Sequence, residues 1–131
     1  MNKIIAATFL LIGLVSCQES LENKSVREAK EYTEKFCPTP VTNNTRTDSV
    51  AFIKETKTYT YYCSFVGRLD DKQIVDQNKG KLNNLLVQEI KSSTNIKQLK
   101  DAGFNFEYIV RSEKSPKEVL YQLTISKKDY Q

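Results

Sequence analysis

The 131-residue chain has no histidine and no tryptophan, and only one methionine, three prolines, four glycines and three cysteines. Without histidine it lacks the commonest metal ligand and the usual base near neutral pH, which excludes Ser/His/Asp and Cys/His catalysis in their ordinary forms. Beyond residue 16 the glycines are Gly67, Gly80 and Gly103, too far apart for a phosphate-cradling loop or a dinucleotide fingerprint. Cys37 and Cys63 are well separated and cannot build a thiolate zinc site alone. No metal and no cofactor is expected. Arginine is confined to Arg27, Arg46, Arg68 and Arg111, and the lysines are scattered along the chain. Nucleic-acid sites favour clustered basic residues, so no nucleic-acid partner is expected from a net charge of +4. The nearest carboxylate neighbours, Asp70 and Asp71, stand before a helical pattern, where capping accounts for them better than acid–base chemistry. No catalytic residues are assigned, and the chain is not read as an enzyme.

What is present begins at the front. Lys3 supplies a positive charge, and Ile4 to Val15 is an apolar run that ends before the first acidic residue, Glu19. Twelve helical residues would span about 18 Å at ~1.5 Å each, short of a ~30 Å hydrocarbon core. The pattern is that of an export signal over residues 1–16. The run closes on Leu14-Val15-Ser16-Cys17, which resembles the lipobox of bacterial lipoproteins. The resemblance implies cleavage before Cys17, diacylation of its thiol and acylation of the new amine. Two or more acyl chains anchor stably where one does not, so the expectation is a membrane lipid anchor on Cys17, on the periplasmic or cell-surface side. Gln18 in place of an aspartate favours the outer membrane where there is one. Gln18 to Glu22 faintly resembles the surface-export tags of Bacteroidetes-type lipoproteins, and Asp48-Ser49-Val50 resembles the short O-glycosylation motif of that group.

Removing residues 1–16 leaves 115, enough for one domain with its own core. With Cys17 lipidated, Cys37 and Cys63 form an even pair in an oxidising compartment, and a disulfide between them is the default expectation. Closing that loop of roughly 27 residues would contribute about 3.5 kcal/mol on the chain-entropy model. Two buried free thiols are the alternative.

Residues 17–24 read as a lipidated tether and 25–131 as a single domain. Ser25-Val26-Arg27-Glu28 matches a capping box, and the apolar spacing after it predicts a helix ending at Cys37-Pro38. Residues 38–48 read as a loop. A short strand over 50–53 and an alternating one over 57–66 form a hairpin through Lys54-Glu55-Thr56, although no glycine or asparagine marks that turn. A long helix follows over 71–92, kinked or split near Gly80. A short helix over 95–102 closes at Gly103. Phe104, Phe106, Tyr108 and Val110 alternate as a third strand, and Val119, Tyr121, Leu123 and Ile125 as a fourth. The fold expected is α+β in the order α-β-β-α-α-β-β: a four-stranded antiparallel sheet with helices on one face.

In the second strand Tyr59, Tyr61, Cys63 and Phe65 fall on the core side. Thr58, Thr60, Tyr62 and Ser64 fall on the other. A tyrosine among hydroxyl side chains on an open sheet face can dock a protein, because it offers apolar area and a polar tip together. These four are the candidate partner-binding residues. The chain resembles small bacterial lipoproteins, specifically over residues 1–17 and only in architecture beyond them, and assembly-factor lipoproteins such as pilotins are an analogue in kind, without a motif to support it. The function expected is a non-enzymatic accessory module that binds an envelope protein. The alternative is a membrane-tethered immunity protein against a toxin or a lytic enzyme.

Overall fold

The computed structural model describes residues 19–131. The expected export signal and the expected lipidation of Cys17 lie outside the described residues. Helix α1 (Leu21–Phe36) leads into an antiparallel hairpin of β1 (Thr45–Ile53) and β2 (Thr58–Phe65). A 3-10 turn (Gly67–Leu69) and helices α2 (Lys72–Gln77), α3 (Lys79–Ser92) and α4 (Lys97–Asp101) follow. The chain ends on a second antiparallel hairpin, β3 (Asn105–Ser112) and β4 (Val119–Ile125), and a last turn of helix, α5 (Lys127–Tyr130). The expected α+β class, element order and four-stranded sheet are all present.

The sheet order is β1-β2-β3-β4, and its centre differs from an all-antiparallel arrangement. β2 and β3 run parallel, in register from Thr58 opposite Asn105 to Phe65 opposite Ser112. The intervening helices carry the chain back to the end of the sheet at which β2 began. A crossover of that length permits a parallel pair, which a tight turn cannot.

α1 begins five residues earlier than its sequence pattern implies. Ser20, not Ser25, is the cap: its hydroxyl accepts from the Asn23 N–H at 3.1 Å. Residues 21–24, read as tether, are therefore helical, and Ser25 is a buried position on the sheet-facing side. Ser25 and Ala29 are small and one turn apart, which lets the helix approach the sheet closely. Pro38, lacking an N–H, stops it where expected.

β1 also starts earlier than expected. Residues 45–49 extend it, with a bulge between Thr47 and Ser49. The polar composition of that stretch hides the strand because its side chains pair with each other rather than entering the core. The long helix splits into α2 and α3, and the break falls at Asn78 rather than Gly80. The Asn78 side-chain amide donates to the Ile74 carbonyl at 2.7 Å, a local bond that competes with helix propagation. Asp71 caps α2 as expected, accepting from the N–H groups of Gln73 at 2.9 Å and Ile74 at 3.3 Å. Asp70 accepts from the Lys114 N–H at 3.0 Å and so ties α2's approach to the β3–β4 turn.

The core lies between the helices and one sheet face. Val50, Phe52, Phe104, Phe106 and Ile125 pack with Ala29 of α1 and Ile90 of α3. Cys63, Phe65, Val110, Leu120 and Tyr121 pack with Val75 of α2. At the sheet's outer edge the Tyr130 hydroxyl donates to the Phe104 carbonyl at 2.9 Å, fastening α5.

Candidate docking surfaces

Where α1 crosses the sheet, the core is not fully closed. A groove of about 670 Å³ runs between α1 and the segment from Asn95 to Leu99. Leu21 and Tyr32 form one wall, Ile96 and Leu99 the other, and Tyr59 and Tyr61 the floor. The floor belongs to an aromatic column. Tyr61 stacks on Tyr108 at a ring-centroid distance of 4.9 Å and on Tyr59 at 5.9 Å. Phe52 closes it against Tyr59 at 5.5 Å. Burial pushes the phenols of Tyr61 and Tyr59 above their ordinary values, with neighbouring tyrosines adding to Tyr61 and Glu28 to Tyr59. The floor is uncharged at neutral pH. Lys24 and Glu28 stand at the rim, paired at 3.8 Å. Tyr32 is 42% exposed and Phe36, whose ring lies 5.3 Å from it, is 60% exposed. An apolar, tyrosine-floored cleft with a polar rim can hold an apolar segment of a partner and orient it by hydrogen bonds to phenols.

The sequence pattern assigned Tyr59 and Tyr61 to the closed core and Leu21 to a tether, and so missed this groove. The spacing Leu21, Ser25, Ala29, Tyr32, Phe36 was the available signal. It is a helical stripe of large residues at both ends with two small ones in the middle, which leaves room where the small residues stand.

Thr58, Thr60, Tyr62 and Ser64 do share the sheet face opposite the groove, together with Ser49, Ala51, Glu107 and Ile109 by register. Among the described residues no helix covers this face. Three of the four are nevertheless buried, because β2 is a central strand and their short side chains lie below those of their neighbours. Thr60 is 1% exposed, and its hydroxyl has no hydrogen-bond partner among the described residues. Ser64 donates to the Asp48 carboxylate and accepts from Arg46 at 3.2 Å. Arg46 also donates to Asp48 at 2.7 Å and Glu113 at 3.0 Å, and these partners raise its guanidinium further, the Asp48 bond most. Glu107 accepts from Gln122 at 3.1 Å and Thr124 at 3.3 Å. The polar groups are largely matched with one another, so Tyr62 and Ile109 carry what contact area the face offers.

Cys37 and Cys63 are both free, which corrects the expected disulfide. The Cys63 sulfur is buried under β1 and lies 3.9 Å from the Thr47 hydroxyl. Cys37 caps the C-terminus of α1, with its N–H on the Thr33 carbonyl. Burial pushes the Cys63 thiol up to about 11 despite the Thr47 contact. Cys37 is also raised, by burial first and then by Asp48. Both are protonated at neutral pH. Among the described residues no group of three or more Cys, Asp or Glu side chains could hold a metal ion, and no helix is long and apolar enough to cross a membrane.

The backbone is similar to that of a protein from Pseudomonas aeruginosa assigned as secreted, with a TM-score of 0.69 and 13% identity over 87% of this chain and 100% of that one. It is also similar to the pilotin EpsS of the Vibrio vulnificus type 2 secretion system (TM-score 0.63, 10% identity, 85% of this chain and 92% of that one). A third likeness is to the type II secretion system pilotin AspS of Vibrio cholerae (TM-score 0.59, 12% identity, 83% and 91%). At these identities the likeness is one of fold. No curated protein matches in sequence. Residues 20–121 match the model of one family, and the chain belongs to it: Domain of unknown function (DUF8479).

Proposed function

We propose that this protein is a non-enzymatic accessory module of the cell envelope, anchored through lipid on Cys17, which docks an apolar segment of an envelope protein in the groove between α1 and the Asn95–Leu99 segment. The observation that carries the reading is the groove itself: about 670 Å³, floored by Tyr59 and Tyr61 and walled by Leu21, Tyr32, Ile96 and Leu99. Partner sites of this kind combine aromatic area with a few polar tips. The likeness to two secretion-system pilotins supports an accessory role rather than the inhibitor role, and it makes a component of an export machine the partner class of choice. The lipobox, with Gln18 after it, supports an outer-membrane anchor. Fold alone assigns no role, so the test is direct. The full-length lipoprotein, its Cys17→Ala form and a Tyr32→Glu form are cross-linked in intact cells and recovered. One integral envelope protein recovered with the lipidated form and lost with Tyr32→Glu is the expected result. Recovery of the same protein with Tyr32→Glu would refute the groove, and recovery of a toxin or lytic enzyme instead would refute the role.

The opposite face, with Tyr62 at its centre, is a second docking surface. Tyr62 and Ile109, paired in register across β2 and β3, favour it, because together they offer apolar area and one polar tip.

A further inference from the structure

Lysines scattered through the sequence converge at one end of the domain. The register places the β1–β2 turn, the start of β3 and the end of β4 at the same end of the sheet, since Ile53 pairs with Thr58, Thr58 with Asn105 and Phe106 with Ile125. Lys54 and Lys57 flank the turn, and Lys127 and Lys128 follow β4. Lys97 and Lys100 of α4 join them: Lys97, Lys100 and Lys127 line one shallow cavity with Tyr130. The Lys100 ammonium donates to the carbonyls of Ile90 and Lys91 at 2.9 Å, which brings the end of α3 and Lys91 alongside. The carboxylates at this end are Glu22, Glu55, Glu89 in the last turn of α3, Asp101 and Asp129, and two of them are engaged. Asp101 pairs with Lys97 at 2.7 Å, and Asp129 accepts from the Ser126 N–H at 2.8 Å. Glu19 is paired with Arg27 at 2.9 Å, and Lys24 with Glu28. Seven lysines therefore face five carboxylates, an excess of two. Residues 19–131 as a whole hold 19 basic and 16 acidic side chains, so this one end carries most of the positive excess. The first turn of α1 lies here too, because the Lys54 ammonium donates to Asn23 at 2.7 Å. The chain thus joins residues 1–18 from its most basic end.

We infer that this end is a docking surface for a membrane leaflet rich in anionic phospholipid, with Lys54, Lys57, Lys127 and Lys128 as its exposed contacts. Lysine ammonium groups held within a Debye length of a negative surface each add to binding, and salt screens them. The surface orients the domain with its sheet strands running away from the bilayer and works independently of any acyl chain. Residues 19–131, which contain both core clusters entire, allow it to be measured without an anchor. The assay is cosedimentation with vesicles of phosphatidylcholine alone and of phosphatidylcholine with phosphatidylglycerol. Binding to the anionic vesicles only, weakened by raised sodium chloride, is expected. Replacing Lys54, Lys57, Lys127 and Lys128 by glutamine should weaken it about tenfold or more. The same four-charge change at Lys35, Lys81, Lys114 and Lys117 should leave most of the binding in place, with circular dichroism confirming that both variants fold. Equal loss in the two variants, or no binding to anionic vesicles, would overturn the inference. Displacement by inorganic phosphate at constant ionic strength would overturn it as well, by pointing to a discrete phosphate site.

Discussion

Thr33 and Val50 form a two-way hydrogen bond between a helix side chain and a strand backbone. The Thr33 hydroxyl accepts from the Val50 N–H at 2.8 Å and donates to the Val50 carbonyl at 2.9 Å. Thr39 repeats the device at Thr47, its hydroxyl accepting the Thr47 N–H at 2.9 Å and its N–H reaching the Thr47 carbonyl at 2.9 Å. Together they occupy the outer edge of β1, where an open strand would invite pairing with another chain. Thr33→Val keeps the shape and removes both bonds. The expected outcome is a loss of about 1–3 kcal/mol in urea unfolding, with greater self-association in sedimentation velocity. An unchanged midpoint would mean that packing of Ala29 and Ser25 alone holds α1.

The two thiols should behave differently. Cys37 is half-buried at a helix end and Cys63 lies in the core, so an alkylating reagent at pH 8 should label Cys37 first and Cys63 only on unfolding. Equal rates would contradict the burial of Cys63.

Stability should fall in alkali. The Cys63 thiol is raised from 9.0 to about 11 in the folded state, so the folded protein holds that proton more tightly than the unfolded chain. The contribution is complete below pH 9 and is lost as pH rises toward about 11. It amounts to about 2–3 kcal/mol at ~1.4 kcal/mol for each pH unit. Tyr121, pushed up to about 12 by burial, acts in the same direction above pH 10. Cys63→Ala should reduce the slope of the stability profile between pH 9 and about 11 and leave the part above pH 11 unchanged. A profile unchanged by that substitution would remove Cys63 from the account.

The β1–β2 turn contains a residue under backbone strain. Lys57 has φ +51°, a left-handed conformation that disfavours any side chain bearing a Cβ. Lys57→Gly should raise stability by about 0.5–1 kcal/mol, read from thermal or urea unfolding. A loss would show that the lysine stem contributes packing that outweighs the strain.

The hairpins were legible because alternation with a period of two reports which side chains share a face, and β2 and β3 follow it; in β4 a register shift opposite Val110 and Arg111 leaves the expected core residue Val119 exposed and brings Leu120 into the core. The helix boundaries were less so. Ser25-Val26-Arg27-Glu28 has the residues of a capping box, but Ser25 is buried against the sheet and Ser20 does the capping, a choice made by tertiary packing. The split at Asn78 turns on one side-chain bond to Ile74, which no periodicity records. The parallel pairing of β2 with β3 was hidden because either direction satisfies the same alternation, and only the path of the crossover decides. Tyr62 shares its face with Thr58, Thr60 and Ser64 as the alternation implied, while the burial of those three depends on β2 being central. The groove went unseen because Tyr59 and Tyr61 face inward whether the space above them is filled or open.

A photo-reactive phenylalanine analogue at position 32, beside a parallel one at position 62, in the full-length protein expressed in its own cells, tests the groove most directly. Tyr32 and Tyr62 lie on opposite sides of the sheet, so each position reports one surface. The groove account requires one dominant adduct with an envelope protein from position 32 and none with that protein from position 62. An adduct formed from position 62 alone would contradict it and give the docking role to the open sheet face.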